Sequence, residues 1–357
     1  MEAPAVFDDT HAVLFSLLGD DRVQALRLDH TDGLYDPSAY FESLQRAFGL
    51  TLATSADLRS PDDRARPLPI LVEKILEPGE RLPPAWPVDG TTGYEFGAAT
   101  LGLFVDPAAE RELTQCYERF TGDKRSFADH VYESKREILR FSLASEVNML
   151  ARSLERIASQ NRRWRDFTLI SLARALSETV AAFHVYRTYV REDGTVTEED
   201  AKQIRAAVRL ARERTPSLND SIFDFLEDVL LLRTSGTDEQ RRAHAAFALR
   251  FQQLTGPAMA KSIEDTAFYR YGRLLCLNEV GALPSKWGAS IEAFHEQNTV
   301  RARSWPLAMT TTSTHDTKRG EDAAARIAAL TEVPAAWAAA VHRFGELARP
   351  LRLHTPG

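Results

Sequence analysis

ALRLDHTDGL, residues 25–34, opens as an apolar strand and closes as an acidic turn around Gly33. Leu26 and Leu28 alternate with Arg27 and Asp29, so the two charged residues share one face of the strand. Further on, PILVEK at 69–74 repeats the form: a prolyl entry, an apolar run, and an acid at the end. Between them Tyr40, Leu44 and Phe48 recur at helical spacing over 37–48. Strand, helix, strand is the pattern of an α/β sheet with parallel strands.

Working outward, Val13, Leu14 and Leu17 line one side of a helix over 9–20. Residues 77–96 are rich in Pro and Gly, and a loop this long in a compact domain tends to be functional. Residues 107–250 read as almost wholly helical. Leu139, Leu143, Val147, Leu150, Leu154 and Ile157 form one stripe, and Leu169, Ala173, Leu176, Val180 and Phe183 another. Thr197 with Asp200 has the spacing of a capping box. These stripes read as core packing and the charges between them as a solvated face. Met309 to Thr314 is a β-branched run, expected as a returning strand that ends at His315-Asp316, with a helix from Glu321. The expected organisation is an α/β portion over 1–106, a helical insertion over 107–250, and a resumed α/β portion over 251–357.

The chain has 357 residues, 44% hydrophobic and 27% charged, with a formal net charge of −7. That balance argues against nucleic-acid binding through phosphate neutralisation. Cys116 and Cys276 are the only cysteines, which suits a reducing compartment rather than a disulfide framework. No apolar run reaches membrane-spanning length, and the N-terminus MEAPAVFDDTHAVLF is acidic, unlike a signal peptide. Cytoplasmic localisation and no membrane partner are the expectation.

Three expected strand ends carry acids: Asp29, Glu73 and Asp316. In a parallel α/β barrel the strand C-termini open onto one face, and that face holds the active site. Three carboxylates at one mouth suit glycosyl transfer through an oxocarbenium-like transition state: a nucleophile, a proton donor, and a group favouring positive charge. Each residue has a plainer reading. Asp29 could be a turn acid or helix cap, since DHTDG is turn-prone. A calcium loop fails there: with Gly33 at loop position six, Leu28 falls at position one and Ala39 at position twelve. Glu73 could be a surface acid paired with Lys74. His315 could be structural or half of a zinc pair, though no histidine follows at i+4, and THDTKR at 314–319 could be a solvated loop.

Taken together, these residues resemble the alpha-amylase-like glycoside hydrolases, in which one strand ends R-x-D, the next in Glu, and a later one in H-D. Arg27 and Asp29, Glu73, and His315 with Asp316 are the matches. The longer words LRLDHTDGL, ILVEKIL, GTTGYEF, FHVYRTYV, EDTAFYRY, LCLNEVG and TSTHDTKRGED are similar to those of the maltooligosyl trehalose synthases, over nearly the whole chain. The resemblance implies a partial (β/α)8 TIM barrel, about strands 4 to 7, with a large all-α inserted subdomain. It implies Asp29 as nucleophile, Glu73 as general acid/base and Asp316 as transition-state stabiliser. Arg27, which would also hold Asp29 ionised, and His30, Tyr94, His315 and Lys318 would bind substrate. Tyr94, Tyr269, Tyr271 and Trp305 are candidates for stacking on sugar.

The implied reaction is an intramolecular transglycosylation that turns the reducing-end α-1,4 linkage of a maltooligosaccharide into an α,α-1,1 linkage. It calls for no metal and no organic cofactor. An α-1,4-glucan substrate and functional coupling to a maltooligosyl trehalose trehalohydrolase are implied with it. A retaining α-glucan hydrolase and an inactive glycan-binding remnant stand as alternatives. Thr31 and His184 replace expected prolines, and Ala282-Leu283 an expected Gly-Asp. A complete barrel takes about 250 residues before decoration, yet Asp29, on the expected fourth strand, has only 28 residues before it. The expectation is an internal fragment lacking the first strands and a C-terminal domain, with a complementing N-terminal polypeptide as a candidate partner.

Overall fold

The structure, a computed structural model, describes residues 2–54, 67–234 and 236–351. It divides into two compact units. The first comprises 1–92, 132–263 and 306–309, the second 93–131, 264–305 and 310–357.

The first unit contains a three-stranded parallel sheet in the order β1 (Leu26–Leu28), β2 (Ile70–Val72), β3 (Gly90–Thr91). Leu26, Arg27 and Leu28 pair with Ile70, Leu71 and Val72, and Val72 pairs with Thr91. Leu26, Ile70 and Val72 are buried, so the apolar alternation does select the face that packs. Helix Pro37–Thr54 forms the crossover between β1 and β2. Gln45 on this helix fixes the entry to β2: its amide donates to the carbonyls of Leu68 and Pro87, and its oxygen accepts from Leu68 N–H. The helix Pro4–Gly19 packs on the same crossover helix, with His11 Nε2 and the Tyr40 hydroxyl at 2.8 Å.

The stretch 77–96, expected as a continuous loop, supplies β3 and the start of helix Tyr94–Gly102. Gly90 has φ +140°, and a Cβ there would lie 2.6 Å from Ala308 Cβ. That close approach lets Met309 N–H reach Thr91 O at 3.1 Å beside β3.

The helical part of the first unit is a bundle of Ala144–Ser159, Leu169–Ala181, Glu198–Arg214, Asp220–Leu230 and Asp238–Ser262. Their shared core includes Leu150, Leu154, Leu176, Val208, Leu226 and Phe251. The stripe from Leu139 to Ile157 is divided between two helices, because one helix ends at Phe141 and the next begins at Ala144. Leu143 N–H turns back to Ile138 O, closing the first helix while its side chain stays buried. The Thr197–Asp200 capping box is present, and a second one, Thr237 with Gln240, opens the longest helix.

The second unit is built from helices Tyr94–Gly102, Glu110–Thr121, Ile291–Ser304, Glu321–Ala328 and Pro334–Ala348. Val105, Leu113, Leu274, Cys276, Leu277 and Ala328 form its core. The expected strand over 309–316 is not formed. Its hydroxyls close local turns instead: Thr311 Oγ1 donates to Ser313 O, Thr317 Oγ1 to Thr314 O, and Asp316 N–H donates to Thr314 Oγ1. Threonine and serine can satisfy the backbone this way without a strand partner, which overrides the β-branched preference. Among the described residues no single helix is long and apolar enough to cross a membrane.

Candidate active site

The β1–β2 register sets the candidate residues of the first unit. Leu28 faces Val72, so Asp29 and Glu73 leave the ends of neighbouring parallel strands at the same level. Glu73 N–H donates to Leu28 O at 2.7 Å and Thr31 Oγ1 donates to Glu73 O at 3.0 Å, tying the two ends together. Asp29 meets Arg27, its neighbour two positions back, with Nη1 2.8 Å from Oδ1. Their side chains are 59% and 41% exposed, so this pair faces solvent and orients the carboxylate rather than adding much stability. Asp29 is therefore paired with a guanidinium, not capping a helix.

Glu73 has a different environment. His30 N–H donates to its Oε2 at 2.5 Å. Burial, reinforced by the negative charges of Asp29 and Asp32, holds its carboxyl above the ordinary value although the His30 N–H pulls the other way. His30 makes this contact from a left-handed backbone, φ +50°. A Cβ on Gly33 would fall 2.3 Å from the His30 ring, so glycine at 33 leaves the imidazole its place.

Lys74 does not pair with Glu73. It turns inward, fully buried, to Glu80 Oε1 at 2.9 Å, Asp32 Oδ2 at 3.4 Å and Ile75 O at 2.7 Å. Burial alone would depress its ammonium, but the Asp32 and Glu80 carboxylates outweigh that and stand it above the usual value. Asp32 also accepts from the Tyr189 hydroxyl at 2.5 Å. Burial raises the Tyr189 hydroxyl's pKa well above its ordinary value, so it remains a donor. Arg187 completes this layer, with Nη1 on the carbonyls of Asp32 and Leu34. Reading the sequence alone missed Asp32, Glu80, Arg187 and Tyr189. The word FHVYRTYV carried two of them, but nothing in its spacing pointed at the turn after β1.

The second unit holds Tyr94, His315, Asp316 and Lys318. The Tyr94 hydroxyl donates to Asp316 Oδ2 at 2.9 Å, and His315 Nε2 lies 3.5 Å from Oδ1. Tyr94 is 2% exposed, and Gly281, at φ +79°, abuts it: a Cβ at 281 would lie only 2.9 Å from Tyr94 Cβ. The Glu279 carboxylate accepts from the N–H groups of Lys318 and Arg319, which fixes the loop beyond Asp316. Lys318 Nζ is 3.7 Å from Asp265. Tyr269 is exposed and Tyr271 buried. Among the described residues no group of three or more His, Cys, Asp or Glu is arranged to hold a metal ion.

Parallel strands with adjacent acid ends, one carboxylate salt-bridged and the other raised by burial, form an arrangement that can support acid–base and nucleophilic chemistry at strand ends. No family model matches the chain. A putative maltooligosyl trehalose synthase of Mycobacterium tuberculosis is 34% identical over 337 residues, 94% of this chain and 39% of that protein. The structure of maltooligosyltrehalose synthase from Arthrobacter ramosus is 38% identical, with TM-score 0.80 over 97% of this chain and 40% of that one. A hypothetical maltooligosyl trehalose synthase from Sulfolobus tokodaii is 28% identical, with TM-score 0.69, over 97% of this chain and 39% of the other. By sequence and by fold the chain is a relative of the maltooligosyl trehalose synthases. It spans about two fifths of the length of the curated relatives it matches.

Proposed function

We propose that this chain carries the reacting carboxylates of a retaining transglycosylase, the maltooligosyl trehalose synthase of its relatives, acting on α-1,4-linked maltooligosaccharides. On this reading the three strands belong to a (β/α)8 barrel and begin at its fourth strand, and the returning strand expected over 309–316 is not among them. Residues 1–106 and 251–357 contribute to it and 107–250 form a helical insertion. The observation that carries the reading is the pairing of Asp29 and Glu73 at neighbouring strand ends in opposite electrostatic settings.

Asp29, oriented by Arg27, attacks the anomeric carbon at the reducing-end linkage. Glu73 gives its proton to the departing glycosidic oxygen, and the C–O bond breaks as the Asp29 ester forms. The released glucose turns in place. Glu73 then takes the proton from its anomeric hydroxyl, which attacks the same carbon and displaces Asp29, leaving an α,α-1,1 linkage. Asp316, oriented by Tyr94, stabilises the positive charge of both transition states. Retention calls for Asp29 and Glu73 carboxyls about 5–5.5 Å apart. Arg27, His30, Tyr94, His315 and Lys318 bind the sugar hydroxyls. No step needs a metal or cofactor. The reaction belongs in the cytoplasm, with a trehalohydrolase consuming the product.

Net hydrolysis is a second reading, favoured by the exposure of Asp29, since water competes with glucose for an open ester. The test is incubation with maltopentaose, the chain alone and with a polypeptide supplying the rest of its relatives' length. A non-reducing product ending in trehalose supports transglycosylation, and a rise in reducing ends supports hydrolysis. No product in the presence of the complement points to a glycan-binding role without turnover. Turnover that survives Asp29→Asn or Glu73→Gln overturns the site assignment.

A further inference from the structure

We infer that Arg187 is a positioning residue for the turn after β1, holding residues 30–35 in the backbone path that aims the His30 N–H at Glu73. The inference rests on the reading of Asp29 and Glu73 as the reacting pair. Arg187 lies far along the chain and is 1% exposed. Its guanidinium donates from Nη1 to Asp32 O at 2.8 Å and Leu34 O at 2.5 Å, from Nη2 to Tyr35 O at 3.4 Å, and from Nε to Thr188 O at 3.0 Å. Three carbonyls of one turn are thus read by one rigid fork, a geometry that a lysine ammonium does not reproduce.

The turn has a reason to need this brace. His30 sits at φ +50°, and a non-glycine residue in that region persists only where its surroundings over-determine it. The determining contacts come mostly from outside the turn: Arg187, the Tyr189 hydroxyl on Asp32 Oδ1, and Gln253 Nε2 on Gly33 O at 2.9 Å. The brace is itself anchored. Gln252 Oε1 accepts from Val190 N–H and Thr188 Oγ1, and Asp200 of the capping box accepts Tyr189 N–H at 2.6 Å. A helix start in the bundle is thereby linked to the acid on β2 through 187–190 and the turn.

Charge points the same way. Two buried cations, Lys74 and Arg187, stand with the buried carboxylate of Asp32 and the largely buried one of Glu80. Apolar residues of similar volume often replace such clusters without loss of stability, so stability alone does not explain a guanidinium here. What it uniquely supplies is the path of the turn.

The experiment compares the full chain with Arg187→Lys, which keeps the charge and loses the fork, and Tyr189→Phe, which loses only a hydroxyl. Hydrogen exchange at the His30 amide and the titration of the Glu73 carboxyl are read directly, without turnover. In Arg187→Lys we expect exchange at His30 to rise at least tenfold while the bundle amides hold. The Glu73 midpoint moves further up, because the His30 N–H that pulls it down is released. In the complemented assay kcat falls at least tenfold with KM within twofold. Tyr189→Phe gives the same directions with about a threefold rise in exchange, and it decides the matter if Arg187→Lys does not fold. Unchanged exchange at His30 and an unchanged Glu73 midpoint in a folded variant would overturn the inference. Loss of the catalytic reading shows differently, as turnover surviving Asp29→Asn, and leaves the exchange result standing.

Discussion

The backbone N–H of His30 donates to Oε2 of Glu73 at 2.5 Å, joining residues 43 positions apart across two parallel strands. The contact couples the turn that follows one acid to the side chain of the other. Whatever moves the turn after Asp29 therefore changes the setting of Glu73 as well.

The Glu73 carboxyl is held above its ordinary 4.5 chiefly by burial, so its protonated form is the one the fold favours. The unfolded chain releases this proton at lower pH than the folded one. Stability from this group is thus complete below the unfolded pKa and is lost as pH rises through the folded pKa. Glu73→Gln should be more stable than the parent at neutral pH, and the advantage should grow as pH rises from 4.5. Urea unfolding across pH 4–8 measures it, and parallel stability curves would contradict the raised carboxyl.

Gly33 faces the His30 ring so closely that a methyl group there requires the imidazole to move. Gly33→Ala should cost about 1–2 kcal/mol, the ordinary range for overpacking. In a His30→Ala background the same change should cost close to nothing. A double-mutant cycle by urea unfolding tests this coupling, and equal costs in both backgrounds would place the strain elsewhere.

The Tyr94 ring is buried and its hydroxyl orients Asp316. Tyr94→Phe keeps the packing and removes one hydrogen bond to a charged group, so unfolding free energy should fall by about 1–3 kcal/mol. Turnover in the complemented maltopentaose assay should fall about tenfold or more, mainly in kcat. A loss confined to KM would assign Tyr94 to sugar binding alone.

Lys135 is fully buried with its Nζ on Phe183 O, and burial lowers its pKa to about 8. Between about 8 and its ordinary 10.5 the unfolded chain holds more protons than the folded one. Stability from this group therefore rises with pH over that window and is lost as pH falls through about 8. Lys135→Met should flatten that rise, as followed by urea unfolding at pH 7.5–10.5. A slope identical to the parent's would mean Lys135 keeps an ordinary ammonium.

Arg27 and Asp29 are both substantially exposed, and such pairs contribute 0 to about 1 kcal/mol. Arg27→Ala should leave thermal stability nearly unchanged while reducing turnover about tenfold. A large loss of stability with turnover preserved would make the pair structural.

Much of the local pattern was legible in the residues. The alternation in ALRLD and the apolar run in PILVE marked two strands, because a sheet with one packed face needs period two. The Thr197–Asp200 capping box and the helical stripes were equally plain, since helix ends and helix faces are specified within a few residues. Met309 to Thr314 misled, because β-branched composition cannot tell a strand from a chain of hydroxyl-closed turns. Leu139 to Ile157 kept its period across a helix break, since the stripe records which residues are buried and not whether the backbone is continuous.

The residues alone marked Asp29 and Glu73 as strand-end acids, placed Arg27 and Asp29 on one face, and read 107–250 as almost wholly helical, whereas Asp316, expected at a third strand end, follows hydroxyl-closed turns. These are local matters of side-chain period and backbone preference. Only the tertiary structure decided that Lys74 turns away from Glu73 to Asp32 and Glu80, and that Arg187 and Tyr189 grip the turn after β1. It also decided that burial lifts the Glu73 carboxyl. Burial and ion pairing depend on groups that the chain brings together from far apart, and no spacing rule along the chain encodes which carboxylate loses its water.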